Sequence, residues 1–110
     1  MDFNQSLIAL SALGQAMRLD VFRLLIRAGL HGMQAGEISE ALNVRQNTMS
    51  ANLSVLMQAG LIRNAREGRT IRYFADLDGT RGLLAFLMED CCGGNAGLCK
   101  SVLDEIVCEC

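Results

Sequence analysis

The fold is decided by residues 37–62, EISEALNVRQNTMSANLSVLMQAGLI. Apolar residues at helical spacing predict a short helix at residues 37–42 and a longer one from Gln46 to Ala59, with a tight turn at Asn43 and Val44 between them. The residues predicted to point inward are Ile38, Ala41 and Leu42 in the first helix and Met49, Leu53, Leu56 and Met57 in the second. This order predicts a helix-turn-helix unit.

The chain changes from helical to alternating periodicity after Gly60, which is predicted to end the second helix. Residues 61–67 and 70–76 read as two short strands, and Glu67-Gly68-Arg69 reads as the turn between them. The sequence therefore predicts a β-hairpin. Four arginines belong to it, with Arg66 and Arg69 at the tip and Arg63 and Arg72 on the arms.

Further helices are predicted on both sides of this region. Upstream, Phe3, Leu7, Leu10 and Gly14 share one helical face, and residues 17–26 are apolar around most of the circumference. We expect this second helix to be central and buried. The glycines after it mark a loop, at Gly29, Gly32 and Gly36. Downstream, residues 80–90 predict one helix, and a final apolar stripe predicts another, at Leu98, Val102, Leu103, Ile106 and Val107.

The composition fits one mostly helical domain over residues 1–110. Its 51% hydrophobic content exceeds what a lone small domain needs to form a core, which predicts apolar faces covered by a partner subunit. The sequence contains no apolar run of membrane-spanning length, and the mildly apolar start lacks the basic segment of a secretory signal. We therefore expect a cytoplasmic protein with no membrane partner.

The charge of the chain is divided between two regions. Residues 1–82 carry nine arginines and seven acidic residues, whereas residues 83–110 carry one lysine and five acidic residues. The net charge of −2 therefore combines a basic part with an acidic tail. Arginine makes the two-pronged contacts that phosphates and guanine edges favour, so the basic part raises the expectation of nucleic-acid binding.

The helix pair followed by an arginine-tipped hairpin predicts a winged helix-turn-helix that binds double-stranded DNA. Its second helix would lie in the major groove, and the hairpin would reach an adjacent minor groove. The residues expected to face outward early in that helix are Gln46, Asn47, Thr48, Ser50 and Ala51. The alternative is a small α+β domain whose polar helix face is simply solvated.

Three segments resemble the ArsR/SmtB family of metalloregulatory repressors: residues 13–25, 38–62 and 66–73. The resemblance covers roughly residues 5–90. It implies a homodimer, paired through the first and last helices, that represses an operator until a metal or metalloid binds. Two residues depart from the family pattern, because Arg45 and Ala51 stand where Ser and Arg are common. The DNA-binding residues that we expect are Arg45, Gln46, Asn47, Thr48, Ser50, Arg66 and Arg69.

All five cysteines lie in the last twenty residues, at positions 91, 92, 99, 108 and 110. Two adjacent cysteines and an odd number of cysteines do not fit a disulfide framework. We therefore expect reduced thiols that can bind soft ions. Residues 33–38, where family members often have a thiolate motif, contain no cysteine. We interpret residues 88–110 as a cysteine-rich sensing segment.

The tail resembles family members that sense arsenite through a Cys-Cys pair and a nearby third cysteine, which implies a site of Cys91, Cys92 and Cys99. In a continuous helix Cys92 and Cys99 would lie about 10 Å apart along the axis. Two thiolates on one centre lie within about 4.6 Å of each other, by the bond length known for zinc. The chain must therefore bend, and Gly93, Gly94 and Gly97 permit this.

Trivalent arsenic is the expected inducer, since it suits three soft thiolates, with antimonite or methylated arsenite as related inducers. No organic cofactor is expected. A thiol redox switch and a repressor responsive to soft cations such as cadmium, zinc or lead remain alternatives. Cys108 and Cys110 read as core residues, a loose end or a second weak site, and His31 as a solvated residue. An enzyme is not expected, because no Cys-x-x-Cys, phosphate-binding loop or Cys–His pair is found.

Overall fold

The structure is a computed structural model that describes residues 1–89, 101–102 and 104–106. Its helices are α1 (Phe3–Leu13), α2 (Ala16–Ala28), α3 (Ala35–Leu42), α4 (Gln46–Gln58) and α5 (Leu77–Leu87). Its strands are β1 (Met33–Gln34), β2 (Ile62–Glu67) and β3 (Thr70–Ala75), and a 3-10 turn spans Gly29–His31. The predicted fold class, mostly helical with a β-hairpin, is confirmed.

The three strands form one antiparallel sheet in the order β1-β3-β2, which extends the predicted hairpin by a strand. The sequence predicted only a loop where β1 lies. Gly32, just before β1, has φ +60°, and a Cβ there would come within 2.6 Å of the Tyr73 carbonyl oxygen. Glycine therefore allows β1 to approach β3 closely enough for Met33 to pair with Tyr73.

The core lies around the inner face of α4. Met49, Leu53 and Leu56 are at most 1% exposed. They belong to the same buried cluster as residues of α2, α3 and the start of the β-hairpin, or wing, which comprises β2 and β3. These residues are Val21, Phe22, Leu25, Ile38 and Leu61. The inward face predicted for this helix is confirmed, and Met57 packs against the cluster as a partly buried residue. The core thereby fixes which side of α4 faces solvent.

Several details of the sequence-based prediction were wrong. The helix at residues 17–26 is buried on one side only, because Leu19 and Ile26 on α2 are 42% and 40% exposed. Ala41 is exposed instead of inward. The last described long helix begins at Leu77 and not at Thr80, because the Asp76 carboxylate accepts a hydrogen bond from the Gly79 N–H and caps it.

Helix α1 packs on the domain through small residues. Its buried residues are Ser6, Ala9 and Ala12, whereas Phe3, Leu7 and Leu10 are 63%, 50% and 40% exposed. The Phe3 ring meets the Phe86 ring of α5 edge to face at 6.1 Å, next to the exposed Leu84 and Leu87. We call the surface formed by these large residues of the two helices, Phe3, Leu7, Leu10, Leu84 and Leu87, the α1–α5 face.

The first turn of α5 lies directly against the end of α4. A Cβ added at Gly79 would overlap the carbonyl oxygen of Gly60, which follows α4. The contact is between backbones, so it cannot be relieved by turning a side chain. Glycine at position 79 is therefore required for α5 to start where it does.

We expect Gly79→Ala to lower the free energy of unfolding by about 1–3 kcal/mol, because α5 must move off Gly60. Gly36→Ala is the matched control, since Gly36 also lies in a first helical turn but its Cβ would have only the Gln46 side-chain nitrogen nearby, at 3.7 Å. Alanine there should be neutral or stabilising. Urea unfolding compares the two, and equal stability of both variants would contradict this contact.

Candidate nucleic-acid interface

The residues predicted to face outward on the second helix of the helix-turn-helix, the recognition helix, form one exposed surface at the start of α4. Gln46, Asn47, Thr48, Ser50 and Ala51 are all exposed. They lie opposite the buried Met49, Leu53 and Leu56, so packing of the apolar side presents the polar side to solvent. We call this surface the α4 polar row. Its amide and hydroxyl groups can donate to or accept from base edges.

The N-terminus of α4 also faces solvent. Its cap residue, Arg45, is exposed and makes no capping hydrogen bond with its side chain. The Asn47 side chain accepts from the Thr48 N–H at 2.8 Å, which satisfies one of the donors of the first turn. A helix N-terminus with spare N–H groups and an adjacent guanidinium attracts anions such as a phosphate.

The tip of the hairpin, or wing, carries two exposed arginines. Arg69 lies in the turn between β2 and β3, and Arg66 lies next to the last residue of β2, so both are at the tip as predicted. Within the described residues, neither side chain makes a hydrogen bond or an ion pair. Guanidinium groups without internal partners remain available to phosphates, so the wing tip has the chemistry of a backbone contact.

The two arginines on the arms of the wing have structural partners instead. Arg72 donates to the His31 and Gly32 carbonyl oxygens at 3.1 and 3.4 Å and to Glu67 at 3.3 Å. Its guanidinium also lies 3.8 Å from Glu37, whose carboxylate caps α3 by accepting from the Gln34 N–H. Arg72 therefore ties the wing to the start of the helix-turn-helix.

Arg63 stacks on the wing. Its guanidinium carbon lies 4.4 Å from the centre of the Phe74 ring, a cation–π geometry. Sequence reasoning grouped the four wing arginines together and missed the bracing role of Arg63 and Arg72. The register of the predicted hairpin pairs Arg63 with Phe74 and is the available signal for that contact. The role of Arg72 has no such signal, because its neighbour Gln34 lies on β1, which the sequence does not reveal.

The predicted sensor residues, Cys91, Cys92 and Cys99, lie outside the described residues, as do Cys108 and Cys110. In residues 1–89 and the described part of 101–106, no group of three or more His, Cys, Asp or Glu side chains is placed to hold a metal ion. His31 is exposed, as predicted. None of the described helices has the length and hydropathy needed to cross a membrane.

The chain is similar to known proteins in this same region. The family described as "Helix-turn-helix domain" matches residues 13–64, whereas a comparison with curated proteins gives no match. A homodimeric winged helix-turn-helix DNA-binding domain from Mycobacterium bovis, described as a possible ArsR-family transcriptional regulator, is 27% identical over 79% of this chain and 81% of its own, with a TM-score of 0.65.

Two further solved structures share the fold. An ArsR-like transcriptional regulator from Rhodococcus sp. RHA1 is 20% identical over 98% of this chain and 97% of its own, with a TM-score of 0.70. HlyU from Vibrio cholerae is 24% identical over 80% of this chain and 95% of its own, with a TM-score of 0.62, and it has also been solved in a form described as reduced.

The matched residues 13–64 run from the end of α1 to the first residues of β2, so they include both helices of the predicted unit. The wing that follows them is part of the fold shared with the solved structures. The chain therefore contains a helix-turn-helix unit that is similar to this family over residues 13–64, and its described residues have the winged helix-turn-helix fold of these ArsR-like regulators.

Proposed function

We propose that this protein is a transcriptional repressor of the ArsR/SmtB type that binds operator DNA as a homodimer and releases it when trivalent arsenic binds the cysteines of its tail. The observation that carries the DNA-binding part is that one described domain presents both the α4 polar row and an arginine-tipped wing to solvent. Both surfaces are exposed, and the wing-tip arginines have no partners among the described residues.

The two surfaces have complementary tasks in DNA binding. The α4 polar row, with Gln46 and Ser50, presents groups that can distinguish bases in the major groove. Arg45, Arg66 and Arg69 present charge to the phosphates, which adds affinity without sequence information. The division suits a chain whose net positive charge lies in residues 1–82.

The α1–α5 face supports a homodimer. It exposes Phe3, Leu7, Leu10, Leu84 and Leu87, large apolar side chains on two helices that meet at Phe3 and Phe86, and exposed apolar surface of this kind marks an interface. A second copy is the occupant that we propose, because the similar domain from Mycobacterium bovis is described as homodimeric. A two-fold pair can present two recognition helices to DNA about 34 Å apart, one helical turn of the duplex.

The arsenic part of the proposal rests on the sequence of the tail. Cys91, Cys92 and Cys99 would supply three thiolates, and trivalent arsenic forms bonds to soft sulfur ligands. In the sequence, helix α5 follows the wing, ends at Leu87 and is the last long described helix before these cysteines. Its first turn touches Gly60 at the end of α4. A shift of α5 caused by ligand binding would therefore reach the recognition helix through a direct backbone contact.

A thiol redox switch is the second candidate. It is favoured by the likeness to HlyU of Vibrio cholerae, a protein solved in a form described as reduced. In this candidate Cys91 or Cys92 would form a disulfide with Cys99, with two electrons and two protons passing to an oxidant such as a peroxide. The switch would then be reversed by a reductant without any competition for a metalloid.

We expect Arg69→Ala to weaken binding to every DNA sequence and to reduce the slope of log affinity against log salt by about one, because one phosphate contact is lost. Gln46→Ala should instead change which base pairs are preferred. Arg81→Ala is the control, since Arg81 is exposed on α5 and pairs with Asp78. Fluorescence anisotropy at several salt concentrations measures this, and an unchanged slope for Arg69→Ala would contradict the wing assignment.

We expect the wild-type protein to sediment as a dimer of 11.9 kDa chains and Leu7→Glu to sediment as a folded monomer, because a charge on the α1–α5 face opposes its burial. Leu30→Glu is the matched control. Leu30 is 90% exposed but lies in the turn after α2, outside this face. A wild-type monomer at micromolar concentration, or equal dimerisation of both variants, would argue against this interface.

We expect each of the substitutions Cys91→Ser, Cys92→Ser and Cys99→Ser to abolish arsenite-induced release. DNA affinity should stay nearly intact, because the proposed DNA contacts lie on residues 45–69. In the wild type, coupling of the usual size would weaken binding roughly 5- to 150-fold. The double variant Cys108→Ser/Cys110→Ser is the control and should respond as the wild type does. Anisotropy titrations of reduced protein with arsenite measure release.

The same titrations distinguish the alternatives. Release by arsenite that a competing dithiol reverses supports the arsenic site, and release by peroxide that a monothiol reductant reverses supports the redox switch. Release by cadmium or zinc alone supports the soft-cation repressor. A full arsenite response in Cys99→Ser would rule out the three-thiolate site.

A further inference from the structure

A buried polar residue lies in the middle of the recognition helix. Asn52 is only 7% exposed, although its neighbours on α4 are apolar core residues or members of the polar row. Its amide nitrogen donates to the Thr48 carbonyl oxygen at 3.1 Å and to the Met17 sulfur at 3.2 Å. Its amide oxygen accepts from the Arg18 guanidinium at 3.3 Å. All of its polar atoms therefore have partners.

Arg18 continues this connection to α1. Its Nε donates to the Ala12 carbonyl oxygen at 2.7 Å. Ala12 lies in the last turn of α1, where carbonyl groups lack partners within the helix, and α1 has no basic residue of its own there. One guanidinium thus joins the end of α1 to the middle of α4. We call Arg18 and Asn52 the α1–α4 link.

The α1–α4 link constrains the angle between α1 and α4, which apolar packing alone leaves adjustable. The fully buried residues of α1 are small, Ser6, Ala9 and Ala12, and such side chains have little shape to fix the angle of a helix. Larger contacts of α1, by Leu13 and Phe3, lie at its two ends. Hydrogen bonds are directional, and breaking one in a buried position leaves a polar group unsatisfied. A rotation of α4 relative to α1 must therefore break a bond of Arg18 or Asn52.

We infer that Arg18 and Asn52 are positioning residues that set the angle between the α1–α5 face and the recognition helix, and thereby the preference for operator DNA over other DNA. The inference rests on the proposed function. Asn52 is buried, so it does not belong to the surface that would touch DNA, and its effect passes through the α4 polar row. Only base contacts read the sequence, so a recognition helix at the wrong angle loses its preference for operator DNA while contacts to phosphates persist on any duplex.

The test uses the full chain and a duplex that the wild-type protein enriches from a random-sequence pool. Asn52→Ala and Arg18→Met each remove the link, and Asn52→Asp keeps an acceptor for Arg18. Ser39→Ala is the matched control, because Ser39 on α3 is also buried, at 6% exposed, but its hydroxyl has no hydrogen-bond partner. Thermal unfolding and sedimentation select conditions in which every variant is a folded dimer.

We expect Asn52→Ala and Arg18→Met to weaken binding to the enriched duplex roughly five- to tenfold, which corresponds to the loss of about one hydrogen bond between the α4 polar row and a base. Binding to random DNA should be unchanged. The double variant should be no weaker than the weaker single variant, because both belong to one link. Asn52→Asp should retain most of the affinity and Ser39→Ala all of it. Equal losses on both duplexes, or no loss, would overturn the inference.

A measurement without DNA separates this inference from the proposed function. Residual dipolar couplings of the free protein report the angle between α1 and α4, which should change in Asn52→Ala and remain as in the wild type in Ser39→Ala. An unchanged angle in Asn52→Ala overturns the positioning role. If the wild-type protein enriches no duplex, the proposed function fails, and the α1–α4 angle still decides whether the link positions α4.

Discussion

The arrangement of the domain depends on burial of the apolar residues on the inner face of α4. The elements that cover this face are thereby held in place around the helix. Met49, Leu53 and Leu56 each gain roughly 1.5–3 kcal/mol from full burial. That cover comes from α2, α3 and the first residues of the wing. Because the apolar side of α4 is held in this way, its polar side has a single outward direction, and the wing follows from the end of the same helix.

The arginine side chains fall into two groups. One group makes contacts within the domain, and the other is exposed and available to a binding partner. Arg72 braces the wing against α3, Arg63 stacks on Phe74, and Arg18 reaches Asn52 on α4. Arg66 and Arg69 have no comparable partners among the described residues. The bracing arginines keep the outer ones in register with the recognition helix. A preorganised basic surface loses less conformational freedom on binding than a mobile one would.

The helices that contact the core could be predicted from sequence because their apolar spacing is regular, as in Met49, Leu53 and Leu56. Strand β1 could not, since two residues are too few to show a period and their pairing depends on Gly32 approaching Tyr73. The start of α5 was missed because Gly79 reads as a break, although tertiary contact with Gly60 requires it. The α4 polar row followed from periodicity, whereas the α1–α4 link joins residues 34 positions apart and left no local pattern.

The aromatic composition gives the wing an optical label of its own. The chain has no tryptophan and one tyrosine, and that residue, Tyr73, lies on the central strand of the sheet between Met33 and Asn64. Ultraviolet emission excited in the tyrosine band therefore originates at one half-buried ring of β3. Its intensity, lifetime and anisotropy report the environment of the sheet alone, so events in the wing can be timed separately from those in the helices without attaching a dye.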